Sequence, residues 1–339
     1  MKRTILCAAL LAALAAAVPF LCLLPWGRAG TQVAAVAPSP TVAPTAEPEA
    51  GYIAATAETA AVPPPVFVLD DAAGQVVELS AKAYMIGAAA CEMPLDWPDD
   101  ALQAQMVAAY SYALYQGSHG GSAQAGYLTV NSAQCSGWTN NTVLQSRWGA
   151  DYAANAARLE QLADEVGGAM LQYGGAPAAA CYHAISCGRT EASQNVWQEA
   201  LPYLQGVDSA WDNSSEEYEV TIQYSRQQFC DAVAALGFTP PDGEEPDGWL
   251  GNVVWDAAGY VQSMELCGQS FTGTALRRAL SLRSACFASA WRGGQFVITT
   301  RGYGHGVGLS QYGAKEMAAG GAGWQEILTY YFPGCEVVG

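Results

Sequence analysis

The chain has 339 residues, 51% hydrophobic and only 13% charged, which excludes wholesale disorder and supplies material for a sizeable core. A formal net charge of −17 excludes nucleic acid as a partner and argues against docking on anionic lipid or electrostatic capture of an anionic polymer. A polymer ligand would have to be held by aromatic stacking and hydrogen bonds; ten Trp and seventeen Tyr are available, although most belong to the core.

The N-terminus opens with Met1-Lys2-Arg3, then an uncharged, mostly apolar run from Thr4 to Trp26. Signal-peptide cores are about 7–15 residues and spanning helices about 20, so the run fits a signal anchor better than a cleaved signal. Lys2 and Arg3 would stay in the cytoplasm and the rest of the chain outside. The expectation is a single-pass cell-membrane protein with residues 1–29 as anchor; cleavage near Ala29 is the alternative. Residues 30–65 are rich in Ala, Pro, Val and Thr and read as an extended linker. The folded part is expected over 66–339, with no internal repeat at solenoid periods.

Within it, "PVFVLDDAAGQVVELS" reads as a hairpin with Asp71-Ala72-Ala73-Gly74 as its turn. "AYMIGAAAC" reads as a short buried strand. "DWPDDALQAQMVAAYSYALYQG" reads as a helix with Pro98 at its first position, Asp99 and Asp100 at its positive end, and Gly117 at its stop. Leu102, Met106, Ala109 and Ala113 give it an apolar stripe. A second helix is expected across "SRWGADYAANAARLEQLADEVGG". Beyond Tyr203 come strand-like runs ("YEVTIQY", "GNVVWDAAGYVQSMELC"), a short helix near 225–236, a helical "GTALRRALSL", and the hairpin "SACFASAWRGGQFVITTRGYGHG". This irregular alternation gives an α+β class, a single mixed exported domain.

Two of the ten cysteines, Cys7 and Cys22, lie in the anchor. An exported domain permits disulfides among the other eight, but their wide spacing is unlike a compact framework, so one or two bridges or none are expected.

Three segments carry candidate chemistry. In "ACEMPLDWP", Glu92 is flanked by Cys91, Met93 and Pro94. If partly buried, its pKa would rise, which suits a general acid; a surface carboxylate beside a helix is the other reading. In "CYHAISCGRTEASQNVW", Cys181, His183 and Cys187 offer a partial zinc site, with Cys135 or His119 as a fourth ligand. The spacing is not that of a zinc finger, and a disulfide, thiols or packing compete with it. Ser186, Gly188, Arg189 and Thr190 look like a tight turn displaying hydroxyl and guanidinium groups. The third segment is "RGYGHGVGLSQYG", residues 301–313. It lacks the Lys-Ser/Thr ending and the strand–loop–helix context of a phosphate-binding loop. Its glycines suit close approach of backbone to a ligand or another strand. His305 is either a core histidine holding the turn or a substrate contact, and no nucleophile motif accompanies it.

In this order the three segments resemble the stage II sporulation protein D family, which includes the amidase enhancer of autolysins. The carrying residues are Glu92-Met93-Pro94, Trp97-Pro98, Ala101-Leu102, Ala104-Gln105, Val107-Ala108-Ala109 and Tyr112-Ala113; then Tyr182-His183 through Gly188-Arg189-Thr190 with Val196-Trp197 and "PYLQGVDS"; then "RGYGHGVGLSQYGAKEMA" and "EILTYYFPG". The resemblance covers roughly 66–337.

It implies a peptidoglycan lytic transglycosylase, which cuts the bond after N-acetylmuramic acid in glycan strands stripped of stem peptides and leaves a 1,6-anhydro end. Glu92 matches the catalytic acid. A substrate groove would be lined by His183, Ser186, Arg189, Tyr303, His305, Gln311 and Tyr312, which position sugar or brace the site. The implied partners are a peptidoglycan amidase/endopeptidase and a membrane scaffold, during engulfment of the forespore. No cofactor is implied, zinc excepted. There are departures: the family's Lys and Arg in the helix after Glu92 stand here as Gln103 and Tyr110. Of a Cys/Asp/His zinc segment found in some members, only Cys135 remains, and the middle segment carries Ile185 and Cys187 in place of Thr and Gly. The alternative is a catalytically weak wall-binding module that enhances a partner amidase.

Overall fold

The computed structural model describes residues 62–119, 127–197, 199–241 and 245–339. The expected anchor and nearly all of the linker lie outside the described residues. Among the described residues, no helix is long and apolar enough to cross a membrane.

The chain enters through a hairpin, β1 (Val66–Asp70) and β2 (Gln75–Leu79), joined by the expected turn. β3 (Leu128–Val130) adds in parallel to the other edge of β1. Next comes α1 (Ala81–Glu92), where the sequence suggested a strand. Ser80 caps it, accepting from the Ala83 amide at 3.2 Å, and alanine and methionine favour a helix. The periodicity that would have revealed it is missing because α1 is buried on most sides: Tyr84, Met85, Gly87, Ala88, Ala89 and Ala90 are all buried.

The helix expected after Trp97 is α2 (Asp99–Ser118). Pro98 is its N-cap rather than its first residue, and the helix runs through Gly117 to a cap at His119. Every residue from Ala101 to Ser111 is buried, so α2 is a core helix and the apolar stripe was only one side of it. It packs against α1, α4, α8, α9 and β4. The single helix expected over 146–168 is two, α3 (Asn141–Trp148) and α4 (Tyr152–Val166), broken at Gly149, where φ is +54°.

β4 (Met170–Tyr173) pairs with β5 (Ala176–Pro177) and later with β14 (Glu336–Val338). β6 (Tyr182–His183) and α5 (Ser193–Trp197) follow. A second hydrophobic core then forms within 219–301. It contains two antiparallel sheets: β8 (Leu250–Trp255), β9 (Val261–Leu266) and β10 (Gln269–Thr272) form one; β7 (Glu219–Tyr224), β11 (Phe287–Arg292) and β12 (Gln295–Arg301) form the other. Helices α6 (Arg226–Val233) and α7 (Gly273–Ala279) cover them. Its centre is Phe229 stacked on Phe296 at 4.0 Å beside Trp249.

This lobe is an insertion. The chain leaves at Tyr218 and returns at Gly302, whose amide donates to the Tyr218 carbonyl at 2.8 Å. It then rejoins the first core through β13 (Leu309–Ser310), α8 (Gln311–Ala319) and α9 (Trp324–Tyr331).

One close approach in the first core is between α1 and the 138–139 segment. A Cβ on Gly87 would lie 2.3 Å from Trp138 Nε1 and 2.4 Å from the Thr139 carbonyl oxygen. Gly→Ala inside a helix ordinarily stabilises by about 1 kcal/mol. Here Gly87→Ala is expected to destabilise by about 2 kcal/mol, read by urea unfolding; a stabilised variant would mean the segment moves aside.

Candidate functional site

Glu92 is the last residue of α1, and the chain turns extended at Met93. The loop to α2 is clamped by Arg158 of α4, which donates to the carbonyls of Leu95 and Trp97 and pairs with Asp99. The Glu92 carboxyl meets Gln311, the first residue of α8, whose Nε2 lies 3.4 Å from Glu92 Oε2 and 3.3 Å from Gln105 Oε1. Gln105 comes from buried α2 and leaves its own Nε2 without a protein partner.

Burial pushes the Glu92 carboxyl up to about 7; the Gln311 hydrogen bond opposes this, and Cys135 adds a smaller upward push. Among the described residues, no carboxylate is a cause of the shift. The tyrosines around it stay neutral. Burial and then Glu92 hold the phenol of Tyr84 above its usual range, and the same two causes hold Tyr182 well above it. Trp97 packs edge-on to Tyr312 at 5.9 Å, with Lys315 4.5 Å over Tyr312.

The three sequence segments meet through a backbone seam. β6 and β13 pair in parallel, with Leu309 opposite Tyr182 and Ser310 opposite His183. Tyr303 bridges Ile185, and the Tyr312 amide donates to Ala184. Glycine is required for this fit. A Cβ on Gly308 would stand 2.2 Å from the Cys181 carbonyl oxygen, and one on Gly304 2.7 Å from His183 Cβ, both at positive φ. Buried Asp212 ties the seam together, accepting from the Ser186 amide at 2.9 Å and the Ser310 hydroxyl at 2.7 Å.

The expected groove residues therefore fall in different places. Gln311 touches Glu92 and Tyr312 stands with Trp97. His183 is 4% exposed, with Nδ1 3.1 Å from the Val307 carbonyl, and burial pushes its pKa down to about 4. His305 packs between His183 and Trp197, accepts from the Val307 amide at 3.1 Å, and is held well below its usual pKa by burial. Both are neutral imidazoles built into the seam. Ser186 is fully buried, accepting from Gly188. Arg189 pairs with Asp208 and donates to the Gly206 carbonyl, and Tyr303 lies under Arg283 at 4.3 Å.

The zinc candidates are dispersed. Cys135 neighbours Cys91, Cys187 neighbours Cys286, Cys181 is buried in the first core, and His119 stacks on Tyr115. Among the described residues, no group of three or more His, Cys, Asp or Glu is placed to hold a metal. Gln103 and Tyr110, the positions of the family's cations, turn elsewhere. Gln103 donates to Glu165 at 2.7 Å and Tyr110 to the Pro64 carbonyl at 2.7 Å. Sequence reasoning named Gln105, Tyr182 and the segment holding Lys315 only as motif residues, without a place in this assembly, and did not single out Arg158 or Asp212. Glutamine at a fully buried helical position was the available signal for Gln105.

A family model described as stage II sporulation protein matches residues 70–173, the region from the hairpin through Glu92 to β4. Stage II sporulation protein D of Bacillus subtilis is 30% identical over 341 residues, covering 99% of this chain and 96% of that protein. Its counterpart in Bacillus amyloliquefaciens is 32% identical over 265 residues, 77% of this chain and 75% of that protein. The chain belongs to the stage II sporulation protein D family. The amidase enhancer of Bacillus subtilis is also similar, 25% identical over 296 residues, which is 72% of this chain but 38% of that longer protein. Glu92, Gln105 and Tyr112 thus lie in the stretch that the family model matches, while Gln311 comes from outside it.

Raising Glu92 has a stability consequence. Its ordinary value is 4.5 and its folded value about 7. The contribution is therefore fully present below pH about 4.5 and is lost as pH rises through about 7. Glu92→Gln is expected to gain roughly 3 kcal/mol over wild type at pH 8 and nothing at pH 4, measured by urea unfolding. Equal stability at both pH values would mean that the carboxyl is solvated.

Proposed function

We propose that this protein is a peptidoglycan lytic transglycosylase. It cleaves the bond between N-acetylmuramic acid and N-acetylglucosamine in glycan strands lacking stem peptides. The observation that carries the reading is a single carboxyl, pushed by burial to about 7, held by buried Gln311, which is itself fixed by Gln105, and bordered by tyrosines. Hydrolytic glycosidases ordinarily use two carboxylates, one of which activates water or attacks the sugar. Intramolecular attack needs only one acid.

In this scheme, protonated Glu92 donates its proton to the glycosidic oxygen as the C1–O bond breaks, and the bonding pair leaves with that oxygen. The resulting carboxylate takes the proton of the muramyl C6 hydroxyl as O6 bonds to C1. Glu92 is restored, no water is consumed, and a 1,6-anhydro end is left. A pKa near 7 leaves both forms of the group accessible at neutral pH, which suits an acid that becomes a base. Gln311 donates to the carboxylate form and positions it. Trp97 and Tyr312 offer aromatic faces for a sugar ring, a mode of capture compatible with an acidic chain.

The missing family cations were the feature favouring a binder without turnover. Their positions face α4 and the segment before β1, which weakens that objection. The cellular setting follows the names of the relatives: wall remodelling in sporulation beside a partner amidase. The N-terminal anchor would hold the catalytic part outside the membrane.

The test is incubation with purified glycan strands lacking stem peptides and mass spectrometry of the products. Wild type should yield anhydro-muramyl ends, and Glu92→Gln should lose them by at least about 1000-fold while still binding strands. Binding by both proteins with product from neither would assign the wall-binding reading instead. His305→Ala is expected to lose less activity than Glu92→Gln; equal loss in a folded protein would give His305 a direct role. The rate should fall as pH rises above about 7, because the first step needs the protonated carboxyl.

A further inference from the structure

Four of the described cysteines stand as two pairs, and neither pair is joined by a disulfide in this structure. Cys91, in the last turn of α1, hydrogen-bonds Cys135. Cys187, between β6 and α5, hydrogen-bonds Cys286, just before β11. We propose that Cys91–Cys135 and Cys187–Cys286 are sites of disulfide formation. The first would lock the 131–139 segment to the end of the helix that carries Glu92, and the second would staple the inserted lobe to the first core.

Neither pairing is a meeting of loose surface side chains. The 131–139 segment is fixed at several points. Asp70 accepts from the Ser132 hydroxyl at 2.6 Å and its amide at 3.0 Å, and Thr139 donates to the Ser132 carbonyl at 2.7 Å. Trp138 Nε1 donates to the Ala83 carbonyl of α1 at 3.2 Å, and Gly87 lets the two backbones close up. Cys135 itself is held at φ 50°, a position rarely given to a side-chain-bearing residue. In the second pair, Cys187 Sγ lies 3.0 Å from the Ala258 carbonyl. Cys286 accepts at its carbonyl from the Arg301 amide at 2.8 Å. Both residues line a cleft of about 560 Å³, together with Trp255, Phe287 and Arg301.

Each pair sets a proton-holding thiol against a readily ionised one, the arrangement thiol–disulfide exchange needs. The Cys135 thiol is brought down to about 5 by the Cys91 hydrogen bond, with Thr139 and Arg147 also lowering it. Cys286 is lowered by Cys187 first and by Arg301. The oxidant is a small or protein disulfide. The Cys135 thiolate attacks one of its sulfurs and expels the other as thiolate, forming a mixed disulfide. Cys91 then loses its proton and attacks Cys135 Sγ, expelling the second thiolate. The protein gives up two electrons and two protons per bridge, and the oxidant becomes two thiols.

The first bridge would also reach the acid. The titratable groups facing Glu92 are Tyr84 on its own helix, Tyr182 on β6, Cys91 beside it, and Cys135 across from it, while Arg147 of α3 faces Cys135. A Cys135 thiolate pushes Glu92 up, and a disulfide carries no charge. Oxidation should therefore move the falling limb of the cleavage pH profile to lower pH. This consequence, unlike the bridges themselves, rests on the proposed activity.

Full-length protein is treated with oxidised glutathione, its remaining thiols are alkylated, and it is digested without reductant. Peptides linked Cys91–Cys135 and Cys187–Cys286, each lighter by two hydrogens, are expected. Alkylated or glutathionylated cysteines at these positions without internal links, or links to other cysteines, would overturn the proposal. So would protection from alkylation that requires added zinc and vanishes with chelator. Reduction should shift the cleavage limb up by roughly half a pH unit, whereas Cys135→Ser should keep the oxidised position. Links without cleavage would sink the proposed activity alone; cleavage without links would sink the bridges alone.

Discussion

The packing around the candidate site holds one carboxyl largely out of water at the wrong end of a helix. Glu92 closes α1, where unpaired carbonyls give the helix its negative pole, so helix and burial both disfavour the carboxylate. Such a group moves into solvent unless the surroundings hold it. The small residues Ala88, Ala89 and Ala90 bring α1 close to its neighbours, and Arg158 fixes the loop that follows. The neutral form of the carboxyl is thus supported by packing contacts that have no chemistry of their own.

The second requirement is to bring Gln311 to that carboxyl from 219 residues away. The inserted lobe solves the path. It buries its own core around Phe229, Phe296 and Trp249 and returns the chain beside its point of departure. The glycine-dense stretch then lies along the 181–186 segment and ends in the cap of α8, where Ser310 receives the Gly313 amide. The loose backbone is therefore pressed against another segment, with its histidine packed on His183 and Trp197. Its contribution to the acid is the orientation of Gln311.

What could be read in the sequence was what depends on neighbours along the chain. The turns at Asp71–Gly74 and Gly293-Gly294 declare their hairpins through residues at fixed offsets, and the middle strands alternate clearly. α1 was misread because a helix buried on most sides has no polar face to set its period; Ser80, three residues before Ala83, was the local sign of a helix start. Glu92 was legible as an unusual carboxylate because Cys91, Met93 and Pro94 offer it no polar company. Its contact with Gln311, the Arg158 clamp and the seam at Asp212 were not, since each joins positions that only the topology brings together. His305 shows the same limit. Its sequence context fitted a ligand contact or a core histidine equally, and its packing on His183 and Trp197 joins positions far apart in the chain.

The absence of the family's two cations acquires a physical meaning here. A lysine or arginine close to Glu92 would favour its ionised form and lower its pKa, leaving a weaker proton donor population at neutral pH. At Gln103 and Tyr110 the side chains point to Glu165 and Pro64, so neutral residues there leave Glu92 untouched. The cation nearest the aromatic pair, Lys315, is engaged with Tyr312, Trp97 and Glu316. Among the described residues the largest influences on the carboxyl are burial, one amide and one thiol. An acid governed by so few groups is tuned by changing any one of them, and Cys135 is the only one of these whose charge an oxidant can remove.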